Sequence, residues 1–428
     1  MNLIIHSGTH GIGGSCVEIQ SQNTRVIIDI GIPLTKDGKP FDFREYRRLT
    51  GPQLVRKNIL PFVKGLYKWD KESRPVNAIL ISHSHIDHYG FLPHVNPNIP
   101  VYTSKGCKEL LGVAHYFGQC KYDPQNVMAV PPWKYFSIGD LSIKPYLVDH
   151  SAPDAFAYKI TGDGKNIFYS GDFRGHGKKK KLFEYILEHP PRNINILIME
   201  GTTIERAEGG AESEQDVEEK LVKFFNDKKE LIIFSCSHQN LDRLTVLYNA
   251  CLRTGRTLVM IPYTAYILDK LKKLSKKTPR YDMSQIRVLF EESRYSKKIE
   301  TNEALWRKLK KSEISFDDMI ADKKNMVVLD SYLVRTVLGE RGSLKKAVLV
   351  YSLWEGYLKD AAQFWNDHSV YIKKVHTSGH ASVKELKEFV KAINPDRIIP
   401  IHIPKPDKFR DYFGDKVRVV SDGELIEL

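Results

Sequence analysis

SHSHIDHYG, residues 82–90, is the stretch on which the reading of the chain turns. It sets His83, His85, Asp87 and His88 within six positions. The apolar run VNAILIS precedes it and has the length of a strand, and Tyr89-Gly90 leads toward a helix start. Four side chains able to ligate a metal therefore sit where a strand ends and the chain turns. Imidazole nitrogen and carboxylate oxygen both suit zinc or manganese. In extended backbone alternate side chains point the same way. His83 and His85 can thus converge on one ion, while the turn lets Asp87 and His88 reach a second. The competing reading is an exposed polar loop, and three histidines with an aspartate in six residues are too dense for it.

Moving outward, polar residues recur singly at strand ends. RVIIDIG places Asp29 at the end of an apolar strand, and YLVDHSAPDAFAYKI does the same with His150. NIFYSGDFRGHG carries Asp172 just past a strand, and NILIMEGTT brings its strand to Glu200. Each is weak alone, because acidic residues often end strands. Together with the first motif they describe a metal site that collects ligands from several strand ends. The glycine-rich GTHGIGGS near the N-terminus lacks the P-loop lysine and serine spacing. It is expected as a tight turn beside the metal site. Residues 35–75 are polar and basic, with LVRKNILPFVKGL as a covering helix or loop.

The pattern changes at residues 204–365. AESEQDVEEKLVKFFND and QNLDRLTVLYNACLRTG have helical periodicity, while LIIFSCS, TLVMIP, MVVLD and AVLVYS are short apolar strands. This alternation predicts a second α/β domain with a parallel sheet. Within it, residues 270–311 hold 14 Lys or Arg against 5 Asp or Glu. Such a run is a nucleic-acid contact or a solvated helical face. From residue 366 the chain is expected to return to the first domain, ending strands near His380 and at His402. The domains are then 1–203, 204–365 and 366–428, the first and last forming one body.

Composition bounds the class. The chain has 428 residues, enough for two or three domains, with 42% hydrophobic and 27% charged residues, as in ordinary globular proteins. It has no apolar run of about 18 residues, so no membrane span is expected. The N-terminus lacks a signal-peptide pattern and reads as a first strand. The five cysteines form no CxxC pair, which argues against disulfides and a cysteine zinc site and fits a reducing cytoplasm. A net charge of +13 favours a polyanionic partner.

These motifs carry a resemblance. HSHIDH resembles the HxHxDH signature of the metallo-β-lactamase superfamily, and Asp29, His150 and Asp172 fall where its first, third and fourth motifs stand. The inserted domain, with Glu200 before it and Ser378-Gly379-His380 and IPIH (to His402) after it, resembles the β-CASP group of nucleic-acid-processing members, ribonuclease J in particular. SHQNLDRL, with Ser237, Asn240 and Arg243, is similar to a ribonuclease J segment. The resemblance implies a metallo-β-lactamase αββα sandwich with an inserted β-CASP α/β domain. It implies His83, His85 and His150 on one metal, Asp87, His88 and His402 on the other, and Asp172 bridging. Asp29 would orient a ligand histidine, Glu200 would hydrogen-bond one, and His380 would stand near the scissile phosphate. RNA members of the group have the histidine at position 402, whereas Artemis-like DNA members lack it, which favours RNA. Two features depart from ribonuclease J. His402-Ile403-Pro404 replaces HGE, and the chain stops 26 residues after His402, short of a C-terminal domain.

The implied function is a metal-dependent ribonuclease, exo- or endonucleolytic. Two divalent ions, zinc with manganese as the alternative, would activate a water and leave a 5′ phosphate. Asp87, His380, Glu200 and Asp29 are its candidate catalytic residues. Ser237, Asn240, Arg243, Lys272, Lys273 and Ser378 are candidate RNA contacts, with Tyr263, Tyr266, Trp354 and Tyr357 as stacking platforms. The expected partner is single-stranded RNA, with a homodimer as a further expectation, no membrane, and a cytoplasmic location. The alternatives are a small-molecule ester, thioester or lactam hydrolase of the same fold, a DNA nuclease of the same group, and a non-catalytic RNA scaffold.

Overall fold

The computed structural model describes residues 1–36, 38–71, 76–206, 211–275, 278–290, 293–345 and 347–428. The chain divides into two compact units, one of Met1–Gly210 with Gly379–Leu428 and one of Ala211–Ser378.

The first unit is a sandwich of two sheets. One runs, in spatial order, through Leu425–Glu427, Asn2–Ser7, Cys16–Gln20, Arg25–Ile28, Ala78–Leu80, Val101–Thr103 and Val127–Ala129. The other runs through Arg397–Ile401, Ile196–Glu200, Lys165–Tyr169, Phe156–Gly162, Leu141–Leu147 and Phe136–Ile138. Between them lies a core that draws Leu3, Val17, Ile28 and Leu80 from one sheet and Ile143, Tyr158, Ile167 and Ile198 from the other. Each outer face carries its own apolar layer. Leu54, Cys107 and Leu111 cover the first sheet, and Phe183, Leu386, Phe389 and Ile393 cover the second. The architecture is therefore αββα.

Local sequence explains the pieces. Val383–Ile393 is helical because Ser382 and Glu385 form a reciprocal cap, and because Val383, Leu386, Phe389 and Ile393 recur at helical spacing on the buried face. Ile196–Glu200 is buried on both faces and accordingly reads as an unbroken apolar run. The 35–75 region contributes a short capped helix, Gly51–Arg56, followed by buried Ile59, Leu60, Val63 and Leu66, so it does serve as a cover.

The second unit is a seven-stranded sheet in the order Glu313–Ile314, Ile286–Leu289, Thr257–Met260, Met326–Leu329, Ile232–Ser235, Val348–Tyr351, Tyr371–Lys374. Every pairing in it is parallel. Its helices include Glu214–Asp227 and Leu241–Thr254, the latter closed by Gly255 in the left-handed region (φ 68°). The unit's limits differ from the expected 204–365. Tyr371–Lys374 pairs with Val348–Tyr351, which keeps residues 366–378 with the inserted unit rather than returning them to the first.

Candidate metal centre

The centre is built where strands of the first unit end. Asp29 follows the strand Arg25–Ile28 and is fully buried in the left-handed region (φ 59°). Its carboxylate accepts four hydrogen bonds: from Ser82 N (2.7 Å), Ser82 Oγ (2.7 Å), Tyr169 OH (2.8 Å) and His88 Nδ1 (2.8 Å). The last bond places the His88 proton on Nδ1 and leaves Nε2 as the ligating nitrogen. It lies 3.1 Å from Asp172 Oδ2. Asp29 thus fixes the His88 ring and is not itself among the clustered ligand-type groups.

Two groups of ligating atoms, each within 4.8 Å of one another, result: His83, His85 and His150, and Asp87, His88, Asp172 and His402. In the first, His150 Nδ1 donates to the Gly379 carbonyl (2.8 Å), which turns Nε2 toward His85 Nδ1 at 3.2 Å. His83 Nδ1 meets Ser82 Oγ at 3.0 Å, and its Nε2 is buried with no hydrogen-bond partner. An orphaned imidazole nitrogen aimed among two other histidines is costly unless an ion completes it. In the second group His402 Nε2 lies 3.1 Å from Asp87 Oδ2, while Thr202 Oγ1 contacts His402 Nδ1 at 2.8 Å. His402 follows the strand Arg397–Ile401 and is itself left-handed (φ 53°). Asp172 Oδ2 stands between the groups, 3.7 Å from His83 Nε2 and 3.8 Å from His402 Nε2.

Electrostatics agree with a cation site. Burial, then neighbouring imidazoles, pull the pKa values of His83 and His150 well below the ordinary range, and burial brings His85 down to about 4. These rings are neutral donors at physiological pH. Asp29, Asp87, Asp172 and Glu200 are all buried, and among the described residues their ion-pair partners are histidines only. Burial opposes the charging of His88, but Asp172, Asp29 and Asp87 outweigh it and hold its pKa well up. So many buried carboxylates without Lys or Arg are a site short of positive charge. The residues fit divalent metal binding.

Glu200 ends the strand Ile196–Glu200 and holds His380: Oε2 lies 3.1 Å from its Nδ1, and Oε1 accepts from Phe173 N (3.2 Å). The histidine it holds is therefore His380 rather than one of the seven residues above. Burial draws His380 down, but Glu200 and Asp172 more than offset it, and its pKa stands at about 9. Asp172, Glu200, His380 and His402 form a third possible ligand group.

The glycine turn lies beside this centre, as expected. Gly14 N donates to the Asp87 carbonyl (3.1 Å), and a Cβ on Gly13 would lie 2.8 Å from Asp87 Cβ. Sequence reasoning missed Ser82, Thr202, Tyr169 and the Gly379 carbonyl. Ser82 and Thr202 adjoin the motifs and could have been flagged by that adjacency.

The RNA-contact candidates fare unequally. Arg243 is fully buried, its guanidinium bound to Glu214 (3.1 Å) and to Ser352, and this corrects its assignment: it is not available to a phosphate. Asn240 caps the helix Leu241–Thr254 by accepting from Arg243 N (2.9 Å). Ser237, Lys272 and Lys273 are exposed, though Lys272 pairs with Asp269 (2.6 Å), and Ser378 is half-buried. Arg280, Arg307 and Lys310 of the basic run are likewise paired with nearby acids. Tyr263 and Tyr266 are buried and unsuited to stacking, and Trp354 is half-buried. The side chain of Tyr357 lies outside the described residues.

Residues 52–227 match the family model described as Beta-lactamase superfamily domain, and residues 370–418 match the Zn-dependent metallo-hydrolase RNA specificity domain. Ribonuclease J of Mycoplasma genitalium is 22% identical over 416 residues, 92% of this chain and 66% of that protein. Transcription termination factor FttA of Methanothermobacter thermautotrophicus is 27% identical over 241 residues, 50% of this chain and 34% of that one. This chain spans about two-thirds or less of these relatives. A crystal structure of a protein of unknown function from Enterococcus faecalis V583 shares the fold, with a TM-score of 0.78 at 22% identity, covering 100% of this chain and 99% of that one. By these matches the chain is similar to proteins of the metallo-β-lactamase superfamily, ribonuclease J among them, in keeping with its αββα frame, its strand-end histidines and carboxylates and its parallel inserted unit.

Proposed function

We propose that the chain is a ribonuclease that hydrolyses phosphodiester bonds of single-stranded RNA with two divalent ions, zinc or manganese, and leaves a 5′ phosphate. The carrying observation is the meeting of seven ligand-type side chains in two abutting groups, with His402 completing the second. His83, His85 and His150 would hold one ion, and Asp87, His88 and His402 the other, with Asp172 standing between the two groups. When bound, such a pair supplies a water that ionises near neutral pH and positive charge for the transferring phosphate.

The chain's own residues do the rest. Asp29, Gly379 and Thr202 fix the rings of His88, His150 and His402, so the ligating nitrogens are set before substrate arrives. Glu200 holds Nδ1 of His380, so the proton offered to the departing 3′ oxygen is the one on Nε2. The five free cysteines are all buried, which supports a reducing cytoplasm. Among the described residues no helix is long and apolar enough to cross a membrane.

The test is cleavage of 5′- and 3′-labelled RNA. Chelation should abolish it and zinc or manganese restore it, and the product ladders should give polarity and the 5′ phosphate. Undiminished cleavage in chelator, or turnover of an acyl or lactam substrate with none of RNA, would overturn the reading.

A further inference from the structure

In the first unit, away from the metal ligands, the segment leading into the edge strand Phe136–Ile138, the neighbouring strand Leu141–Leu147 and the helix Lys180–Glu188 carry a group of aromatic side chains. Trp133 stands edge-on to Tyr146 (ring centroids 5.3 Å apart, 74°) and to Tyr185 (5.1 Å, 75°). Tyr185 stacks on His189 at 4.5 Å. The Lys144 ammonium sits 5.2 Å from the ring centres of both Tyr135 and Tyr146. Tyr135 is 58% and Tyr185 46% exposed, an unusual state for rings gathered this closely. Trp133 adopts a left-handed backbone (φ 67°), held by its N–H to the Pro145 carbonyl at 2.7 Å. A bulky residue is strained there, and such strain persists where the surroundings fix it, commonly at binding sites.

We propose that this surface is a second contact for single-stranded nucleic acid, in which bases stack on Tyr135 and Tyr185 and the lysines take the phosphates. Aromatic faces interleaved with cations are what such strands bind without sequence preference. Lys134 is exposed beside the rings, and Lys159 lies within electrostatic reach of Lys144. Of the acids on the same helix as Tyr185, Glu184 is paired with Lys180 (3.8 Å), leaving Glu188 to oppose the lysines. Charge decides the occupant. A symmetric contact with a second copy would press these lysines against their own equivalents in a chain already at +13, whereas a polyanion relieves them. The surface also leads to the centre: Tyr146 precedes His150 by four residues, about 13 Å of extended chain. It rests on the ribonuclease reading and extends it, since RNA cleaved at the metals would continue across these rings.

The test uses the full metal-loaded chain with phosphorothioate single-stranded RNA of about 20 nucleotides and the double variant Tyr135→Ala, Tyr185→Ala. Affinity should fall at least about fivefold, since each stacked base contributes that much or more. Photo-cross-links from 4-thiouridine should map to Trp133, Tyr135 or Tyr185 and disappear in the variant. Phe62→Ala, exposed elsewhere in the same unit, is the control and should bind as wild type. Unchanged affinity with no cross-link at these rings overturns the proposal. So does a double variant that binds RNA normally but sediments as a smaller species, which would assign the surface to a second copy. If the wild type binds and cross-links here yet cleaves no RNA, this surface stands and the ribonuclease reading falls.

Discussion

Gly31→Ala should empty part of the metal centre while leaving most of the fold alone. The segment around Gly31 carries the short helix Ile86–Tyr89, because Ile30 N donates to the His88 carbonyl (2.8 Å) and Ile32 N to the Ile86 carbonyl (3.2 Å). A Cβ on Gly31 would lie 1.5 Å from the Asp87 carbonyl oxygen, 2.0 Å from its carbon and 2.6 Å from His88 N. Reaching the 3.4 Å of an ordinary contact requires about 2 Å of retreat by backbone that has no flexible end to yield. Metal–ligand distances tolerate only about 0.2 Å. Asp87 and His88 therefore cannot both keep their places, and the ion they share with His402 should be lost. Overpacking of this kind costs about 1–3 kcal/mol, within the margin of a domain this size. The assay is metal content by mass spectrometry, thermal unfolding and single-turnover cleavage on one preparation. Gly31→Ala should carry about one ion fewer per chain and cleave at least about 100-fold more slowly, the upper end of the loss for an outer partner. Gly112→Ala is the counterpart. It lies inside the helix Lys105–Tyr116, nothing beyond its chain neighbours and the helix's own backbone lies within 4 Å of its added methyl, and it should gain about 0.5–1 kcal/mol with metals unchanged. A Gly31→Ala chain with full metal content and wild-type rate would refute the geometry from which the centre is argued.

Three further outcomes are expected. His402→Ala should lose an ion, whereas His380→Ala should keep both and slow cleavage about 10²–10⁴-fold; a metal deficit confined to His380→Ala would reverse the two roles. Burial drives the Glu18 carboxyl up, but hydrogen bonds from His6 (2.7 Å) and Arg25 (2.6 Å) prevail and hold it at about 2, against an ordinary 4.5. Because the folded value lies below the unfolded one, Glu18 contributes about 3 kcal/mol above pH 4.5 that is lost as pH falls toward 2; urea melts of Glu18→Gln should lack that part of the acid dependence, and identical curves would exclude it. Arg243→Ala removes the buried guanidinium that pairs with Glu214, so it should cost about 3–5 kcal/mol in thermal melts; weakened RNA binding at unchanged stability would restore Arg243 as an RNA contact.

Most of the clustered histidines and carboxylates were legible because they follow the ends of apolar runs, and strand ends are where such a fold gathers side chains. The features that were not legible depend on partners distant in sequence. Ser82 and Asp29 are 53 residues apart, and Thr202 and His402 are 200 apart. No local pattern announces such bonds. Arg243 was misread for a similar reason. Its neighbours Leu241 and Leu244 mark a buried helical face, but its partner Glu214 lies 29 residues earlier, outside the segment that prompted the assignment. The second limit of the inserted unit was missed because Tyr371–Lys374 is an edge strand with Lys373 and Lys374 exposed, a composition that blunts a sheet edge and hides it from hydrophobic pattern.

Backbone conformation at the centre was the least legible feature, and it explains why the motif residues work. Asp29 and His402, from different sheets, both turn left-handed as their strands end, at φ 59° and 53°. For residues with side chains that costs on the order of 1 kcal/mol or more each. At Asp29 four donated hydrogen bonds outweigh it, and at His402 its N–H donates to the Gly8 carbonyl (2.8 Å) while Thr202 holds its ring. The same bonds fix where the His88 and His402 nitrogens point. Strain and ligand orientation are therefore met by one set of contacts, so loosening Thr202 or Ser82 should disturb metal affinity before it disturbs the fold.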